Sequence, residues 1–199
     1  MVNSLIDSIK DFKGKKLLAQ YEPYNAFSGK FDPTKMMEKA IEKETYQQSG
    51  NYVVVTQELV DSLSTILSGK KVLEVMSGTG MLAWHLKEAG VDILATDSGE
   101  WGLQEIEPGF VKTISAVDAI NKYPDADIIL MCWPYMDNTA FQVLKSLYPH
   151  QMLICCGETN GCTADEEFWD NYVYEPLSDV KYQSFSMIRD YFYIGKIRS

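Results

Sequence analysis

The stretch KVLEVMSGTGMLAWHLKEAGVDILATD, residues 71–97, decides the fold of this chain. Residues 72–75 are a short apolar run, residues 77–80 form a turn with two glycines, and residues 81–89 have apolar positions at helical spacing. Residues 91–96 are apolar again. This order predicts strand, glycine turn, helix and strand. A connection of this length favours parallel strands, which puts the turn at the carboxyl edge of the sheet, where ligands bind.

The residues of the turn suit an anionic or polar ligand group. Gly78 and Gly80 lack side chains, so the backbone can approach a ligand closely, and the helix behind them offers unpaired N–H groups with partial positive charge. Asp97 ends the second strand seventeen residues after Gly80, close to the spacing of roughly 20 at which such units place a ribose-binding acid. We therefore predict that Asp97 anchors a nucleoside.

Two classes of cofactor use a unit of this kind. The run GTGMLA, residues 78–83, formally fits the dinucleotide pattern with alanine last, so the glycines alone leave an NAD(P)-dependent oxidoreductase open. Glu74 inside the strand, followed by SGTG at residues 77–80, resembles the first motif of class I S-adenosylmethionine-dependent methyltransferases. The resemblance covers about the C-terminal three quarters of the chain. It departs from the family at Met76, where glycine is usual.

The resemblance implies an α/β fold with a Rossmann-like, seven-stranded, mostly parallel sheet, helices on both faces and a C-terminal antiparallel hairpin. Residues 180–187 and 190–197 alternate in polarity and are predicted to form that hairpin. Residues 1–50 are predicted to be an N-terminal helical lid or extension, and residues 51–199 the cofactor-binding domain. The resemblance implies S-adenosylmethionine contacts from Glu74, Met76, Ser77, Gly78, Gly80, Asp97, Ser98, Asp118, Ala119 and Cys132.

The continuous apolar run after Asp127 predicts a fourth, central strand buried on both faces, and residues 151–156 are predicted to form a fifth strand. The loops after these two strands are expected to face the methyl acceptor. The run CWPY, residues 132–135, resembles the fourth motif of methyltransferases that act on amino groups, usually Asp or Asn followed by Pro-Pro-Tyr. Cys132 and Trp133 replace the polar side chain that orients such an acceptor, which weighs against methylation of a nucleic acid base. Trp133, Tyr135 and Glu158 are the candidate catalytic residues, although a solvated loop acid is an equal interpretation of Glu158.

Other positions also have a plain structural interpretation. Asp118 follows a predicted strand at residues 111–117 and could contact adenine, cap a helix or do both. Trp101 could stack on adenine or pack in the core. Tyr21, Tyr24 and Tyr46 are candidates for a lid, but packing against the domain is the commoner role of such rings. Further predictions concern local structure: Asp32, Thr56 and Thr163 as helix caps, and Met36, Met37 and Ile41 as part of a buried stripe.

The charge and composition of the chain limit the kinds of molecule that it is expected to bind. The net charge of −10 and a pI near 4.7 repel phosphate backbones and anionic membranes, so we expect a small-molecule acceptor and neither a nucleic acid nor a membrane. No apolar run approaches the length of a membrane span, and no signal peptide is evident, so a cytoplasmic location is the default. The four cysteines show no metal-ligand spacing, and we expect no metal. The main alternative is a catalytically silent S-adenosylmethionine-binding protein on the same fold.

Overall fold

The structure is a computed structural model that describes residues 2–10, 13–25, 31–159 and 161–198. Its elements in chain order are α1 (Leu5–Lys10), α2 (Pro33–Gln48), α3 (Gln57–Ile66), β1 (Lys71–Val75), α4 (Met81–Glu88), β2 (Asp92–Asp97), β3 (Lys112–Thr113), α5 (Ala116–Lys122), β4 (Ile128–Cys132), α6 (Thr139–Lys145), β5 (Met152–Gly157), α7 (Glu166–Asn171), β6 (Tyr172–Pro176) and β7 (Tyr191–Ile197).

The strands form one seven-stranded sheet in the order β3-β2-β1-β4-β5-β7-β6. The first five strands of this order pair in parallel, and β7 runs antiparallel to both β5 and β6. The carboxyl ends of β1, β2 and β4 therefore meet at one edge of the sheet. The predicted fold, a mostly parallel sheet that ends in an antiparallel hairpin, is confirmed.

Helices cover both faces of the sheet because side chains of the central strands alternate between two apolar cores. On β4, Ile128 and Leu130 belong to the core that α3 and α4 cover. Ile129 and Met131 belong to the core beneath α5, α6 and α7. The N-terminal helices join the first core, since Leu5 and Tyr46 are completely buried there. The central strands are thus buried on both faces, as their continuous apolar runs predict.

The strand that pairs with β7 differs from the prediction. Residues 180–187, all described, form no strand, and the hairpin partner is β6. The segment 177–190 connects β6 to β7 and buries Phe185 against Tyr21 and Tyr46, with ring centroids 5.9 and 5.8 Å away. Its alternating polarity arises because one side packs on the N-terminal segment, without ladder pairing. The same contacts place Tyr21 and Tyr46 in the core.

Local predictions are confirmed at some helix ends and wrong elsewhere. Asp32 and Thr56 cap α2 and α3 through their side chains. Asp165, not Thr163, caps α7, because the Thr163 hydroxyl instead accepts the Glu158 N–H at 2.8 Å.

The buried stripe predicted on α2 is also wrong. The side chains of Met36, Met37 and Ile41 are exposed, and this helix turns Glu42 and Tyr46 inward. The Glu42 carboxylate accepts the Leu5 N–H at 3.1 Å and so ties α2 to α1.

We predict that Gly80→Ala lowers the free energy of unfolding by about 3 kcal/mol. Gly80 has φ +76°, and an added Cβ would lie 2.6 Å from Val111 Cγ2, so conformational strain and a steric clash combine. Gly69→Ala is the matched control, since Gly69 has φ +72° and open space around its Cβ position; we expect it to cost only about 1 kcal/mol. Urea denaturation measures both. Equal losses would show that the close approach at Gly80 is unimportant.

Candidate functional site

A cleft of about 790 Å³ opens at the carboxyl edge of the sheet, a size typical of small-molecule sites. The turn after β1, the loops after β2 and β4, and the segment 50–55 before α3 surround it. Nine of the predicted site residues line the cleft: Glu74, Met76, Ser77, Gly78, Asp97, Ser98, Cys132, Trp133 and Tyr135. Four others are not among its lining residues: Gly80, Asp118, Ala119 and Glu158.

The turn after β1 reverses the chain through left-handed backbone conformations. Met76, Gly78 and Gly80 have φ values of +56°, +55° and +76°. A side chain at the first of these positions costs conformational energy, which explains why glycine suits it. Met76 nevertheless adopts the required conformation, so its departure from the family motif leaves the turn intact. Its side chain occupies part of the cleft wall.

Asp97 ties the end of β2 to the glycine turn. One carboxylate oxygen accepts the Gly78 N–H and the other accepts the Gly99 N–H, both at 2.9 Å. The Thr96 hydroxyl adds a bond of 2.9 Å to the Glu74 carbonyl, which joins β2 to β1 just before the turn. Each carboxylate oxygen keeps a free lone pair. Asp97 can therefore accept ribose hydroxyls while it holds the turn in place.

Glu74 is a buried acid that faces the cleft. It is only 2% exposed, and its Oε2 atom has no hydrogen-bond partner. Burial raises its pKa from 4.5 to about 8; a hydrogen bond from the Ala83 backbone opposes this rise, and the nearby charge of Asp97 adds to it. At neutral pH the Glu74 side chain is therefore mostly a neutral carboxyl group. An unpartnered buried oxygen of this kind is suited to a ligand that brings a donor or a positive charge.

Trp133 is held firmly at the end of β4. Its φ is +52°, a rare conformation for an aromatic residue, and its backbone N–H donates to the Cys156 carbonyl at 2.8 Å. The indole N–H donates to the Asp190 carboxylate at 2.6 Å, and the Tyr182 hydroxyl donates to the same oxygen at 2.7 Å. Burial raises the pKa of Asp190, while these two hydrogen bonds oppose the rise. The network fixes the indole ring against the cleft.

Four aromatic side chains surround the entrance of the cleft, and we call them the aromatic mouth: Tyr52, Trp101, Trp133 and Tyr135. Tyr52 stacks on Trp133 with centroids 5.9 Å apart, and Trp101 lies against Tyr135 at 5.5 Å. Trp101 is 64% exposed, so it does not pack in the core. Partial burial raises the pKa of Tyr135, and the charges of Tyr52, Asp97, Glu100 and Asp137 raise it further.

Asp118 and Glu158 are engaged in local hydrogen bonds. Strand β3 is only two residues long, so α5 begins earlier than predicted, with Ser115 as its cap, and Asp118 lies in the first turn of that helix. The Asp118 carboxylate accepts the Ser115 hydroxyl at 2.6 Å. The Glu158 carboxylate accepts the N–H groups of Cys162 and Arg189. Ser115 and Cys162, not these two acids, line the cleft.

Sequence reasoning did not identify the segment 50–55 as part of the site. Gly50 has φ +84°, and its carbonyl oxygen lies 3.1 Å from where a Cβ on Gly78 would be. The Asn51 side chain accepts the Thr79 hydroxyl at 2.8 Å, which joins the segment to the turn. The pair Gly50-Asn51 is a recognisable turn signal after α2. Nothing in the sequence indicates that this turn meets the loop after β1, because the two are far apart along the chain.

The comparisons with known proteins found similarity only among solved structures. No family model matches the sequence, and no curated protein matches it. MtNAS in complex with MTA and tNA has a TM-score of 0.48 and 7% identity over 84% of this chain and 66% of its own. PigF with SAH has a TM-score of 0.45 and 10% identity over 83% and 67%. A SAM-dependent O-methyltransferase from Thermotoga maritima has a TM-score of 0.44 and 13% identity over 80% and 71%.

This chain spans about two thirds of the length of the MtNAS and PigF chains. At such low identity the likeness concerns the course of the backbone only. The sheet order, with antiparallel β7 between β5 and β6, and the glycine turn after β1 are those of the class I methyltransferase fold. The chain has that fold.

Among the helices of the described ranges, none combines the length and the apolar character that a membrane span requires. The same ranges hold no group of three or more His, Cys, Asp or Glu side chains arranged to bind a metal ion.

We predict that the Glu74→Gln variant becomes more stable relative to the wild-type protein as pH rises. Because the pKa is raised in the folded state, folding retains a proton that the unfolded chain releases above pH 4.5. The resulting stabilisation is complete below that pH and is lost as pH approaches 8. The variant lacks this loss, so its stability relative to wild type should improve by about 1.4 kcal/mol per pH unit across the window.

Denaturant unfolding at several pH values measures this difference. Glu38→Gln, at an exposed position of α2, is the control for the substitution itself, because that side chain is not buried. A pH-independent difference for Glu74→Gln would mean that Glu74 is ionised in the folded protein.

Proposed function

We propose that the protein is an S-adenosylmethionine-dependent methyltransferase that acts on a small-molecule acceptor. The single observation that carries this proposal is the buried Glu74 carboxyl group, which lies beside the glycine turn and has an unpartnered oxygen facing the cleft. In a dinucleotide enzyme the pyrophosphate lies against this turn. A phosphate there would be repelled by the Asp97 carboxylate, whereas the ammonium group of a cationic cofactor would favour the ionised form of Glu74 and pair with it.

The residues present fit the cofactor along its length. Asp97 would accept the ribose hydroxyls, and Ser98, the next residue along the chain, would lie on the adenine side. Glu74 would receive the ammonium group of the methionine portion, and the unpartnered Ser77 hydroxyl and the N-terminus of α4 would face its carboxylate. The cofactor would supply an activated methyl group on a positively charged sulfur.

The chain's own contribution is to bind and orient the reactants. Trp133 is fixed by Asp190, and Tyr135 lies across the entrance, so the two rings would hold the acceptor near the methyl group. Aromatic faces also favour the positive sulfur before transfer. Residues 50–55 would cover the site together with the helices that precede them. Residues 1–50 would thus form the N-terminal lid or extension of the cofactor-binding domain. Asp118, Ala119 and Glu158 would then act indirectly, by shaping the loops that carry Ser115 and Cys162.

A catalytically silent protein that only binds S-adenosylmethionine is the second candidate. It is favoured by Cys132 and Trp133, which occupy the place of a polar acceptor-orienting side chain. In this case cofactor binding is retained and no acceptor is methylated. An NAD(P)-dependent oxidoreductase fits the acidic lining poorly.

We predict that S-adenosylmethionine and S-adenosylhomocysteine bind in the micromolar range and that Asp97→Ala weakens both by at least tenfold. Loss of charged hydrogen bonds, each worth about 1.5–3 kcal/mol, accounts for this magnitude. Isothermal titration calorimetry measures it, with reduced nicotinamide dinucleotide as the third ligand. Asp92→Ala, at the exposed opposite end of β2, is the matched control and should bind like wild type. Binding of the dinucleotide in place of both adenosyl ligands would refute the methyltransferase proposal.

A further inference from the structure

The charge of the cleft restricts what can enter it. The lining residues within the described ranges include four acids and no Lys, Arg or His. The acids are Glu74 at the floor, Asp97 beside the turn, and Glu100 and Asp137 in the loops after β2 and β4. A phosphate or carboxylate acceptor would meet the carboxylates of Asp97, Glu100 and Asp137 with no compensating cation among these lining residues. The net charge of −10 adds long-range repulsion of anions.

The aromatic mouth supplies the complementary attraction. Tyr52 and Tyr135 are each 41% exposed and Trp101 is 64% exposed, so these rings keep accessible surface although each packs against another ring of the mouth. The face of an aromatic ring carries negative partial charge and attracts ammonium groups. The carboxylates of Glu100 and Asp137 lie close enough to Tyr135 to act on its hydroxyl group. Rings and carboxylates thus surround the same space.

The floor of the cleft has the same preference for positive charge, in the part assigned above to the cofactor. Glu74 is only 2% exposed, and its Oε2 atom lacks a donor from the protein. Buried oxygens are nearly always paired in folded proteins. The ammonium group of the cofactor would satisfy this one, which leaves the aromatic mouth and the acids around it to the acceptor.

We propose that the methyl acceptor is an organic amine, which the aromatic mouth and the carboxylates of Glu100 and Asp137 bind as an ammonium cation. This inference rests on the proposed function and specifies its substrate class. The localised lone pair of an aliphatic amine does not need the polar side chain that orients a conjugated amino group, which agrees with Cys132 and Trp133 at the motif positions.

The transfer step conserves charge within the cleft. The bound ammonium first releases one proton to solvent at the open mouth. The nitrogen lone pair then forms a bond to the methyl carbon while the carbon–sulfur bond breaks and its electron pair stays on sulfur. One positive charge leaves sulfur, and one appears on the methylated nitrogen. Both charges would lie in a cleft lined by ring faces and carboxylates, which would favour the positive charge before and after transfer.

The test uses three probes of similar size and different charge: tetramethylammonium, tert-butanol and pivalate. Each is titrated calorimetrically into the 199-residue chain saturated with S-adenosylhomocysteine, so that the cofactor part of the cleft is filled. We expect the cation to bind at least tenfold more tightly than the neutral alcohol and pivalate not to bind. Trp101→Ala and Asp137→Asn should each weaken cation binding about tenfold.

Two control variants make the same kinds of substitution, aromatic residue to Ala and Asp to Asn, at positions outside the cleft. Tyr148→Ala removes a partly exposed ring that stacks on His150, and Asp179→Asn neutralises an exposed acid in the connection between β6 and β7. Neither residue lines the cleft, and both variants should bind tetramethylammonium like wild type. Circular dichroism of every variant checks that it is folded.

Each other result overturns the inference in a recognisable way. Equal affinity for the three probes, or preference for pivalate, would refute selection for an amine. If S-adenosylhomocysteine displaces tetramethylammonium, the cation site belongs to the cofactor sulfur and not to the acceptor. If S-adenosylhomocysteine itself fails to bind, the proposed function fails, and the amine can no longer be assigned as a methyl acceptor even where tetramethylammonium still binds.

Discussion

The bidentate contact of Asp97 with two backbone N–H groups is the interaction on which the candidate site depends. Its carboxylate joins Gly78 in the turn after β1 to Gly99 in the loop after β2. Two loops that are separate along the chain therefore meet at one place on the sheet edge. The same carboxylate faces the cleft, so the group that shapes the site is also available to a ligand. A charged hydrogen bond to a backbone donor is strong enough to serve both roles.

Two of the five non-glycine residues with positive φ in the described ranges lie at the same edge. Met76 and Trp133 follow neighbouring strands, β1 and β4, and both have positive φ without being glycine. Such conformations persist only where surrounding contacts hold them in place. For Trp133 these contacts are the Cys156 carbonyl and the buried Asp190 carboxylate. For Met76 the turn on its C-terminal side is held by Asp97. The strain places two large side chains on the walls of the cleft.

The electrostatic character of the cleft follows from what it lacks as much as from what it contains. Its described lining offers carboxylates, hydroxyls and ring faces but no basic side chain. The N-terminus of α4 supplies a partial positive charge that is limited to its first turn. The cleft therefore combines a small positive region near the glycine turn with a negative entrance. A ligand with an anionic end at the turn and cationic groups elsewhere matches this pattern, and S-adenosylmethionine has such a distribution of charge.

The sequence by itself determined the β1-turn-α4-β2 unit, the buried central strand β4, the sheet class and the residues around Asp97. These features are local: apolar periodicity and glycine positions report them directly. Only the tertiary structure decided the partner of β7, the inward face of α2, the approach of residues 50–55 to the turn, and the bonds that turn Asp118 and Glu158 away from the cleft. Each of these depends on contacts between segments distant along the chain, and local propensity is weaker than such packing. The alternating polarity of residues 180–187 is an example. It correctly indicates a segment with one buried side, but that side packs against the N-terminal segment and not within a sheet.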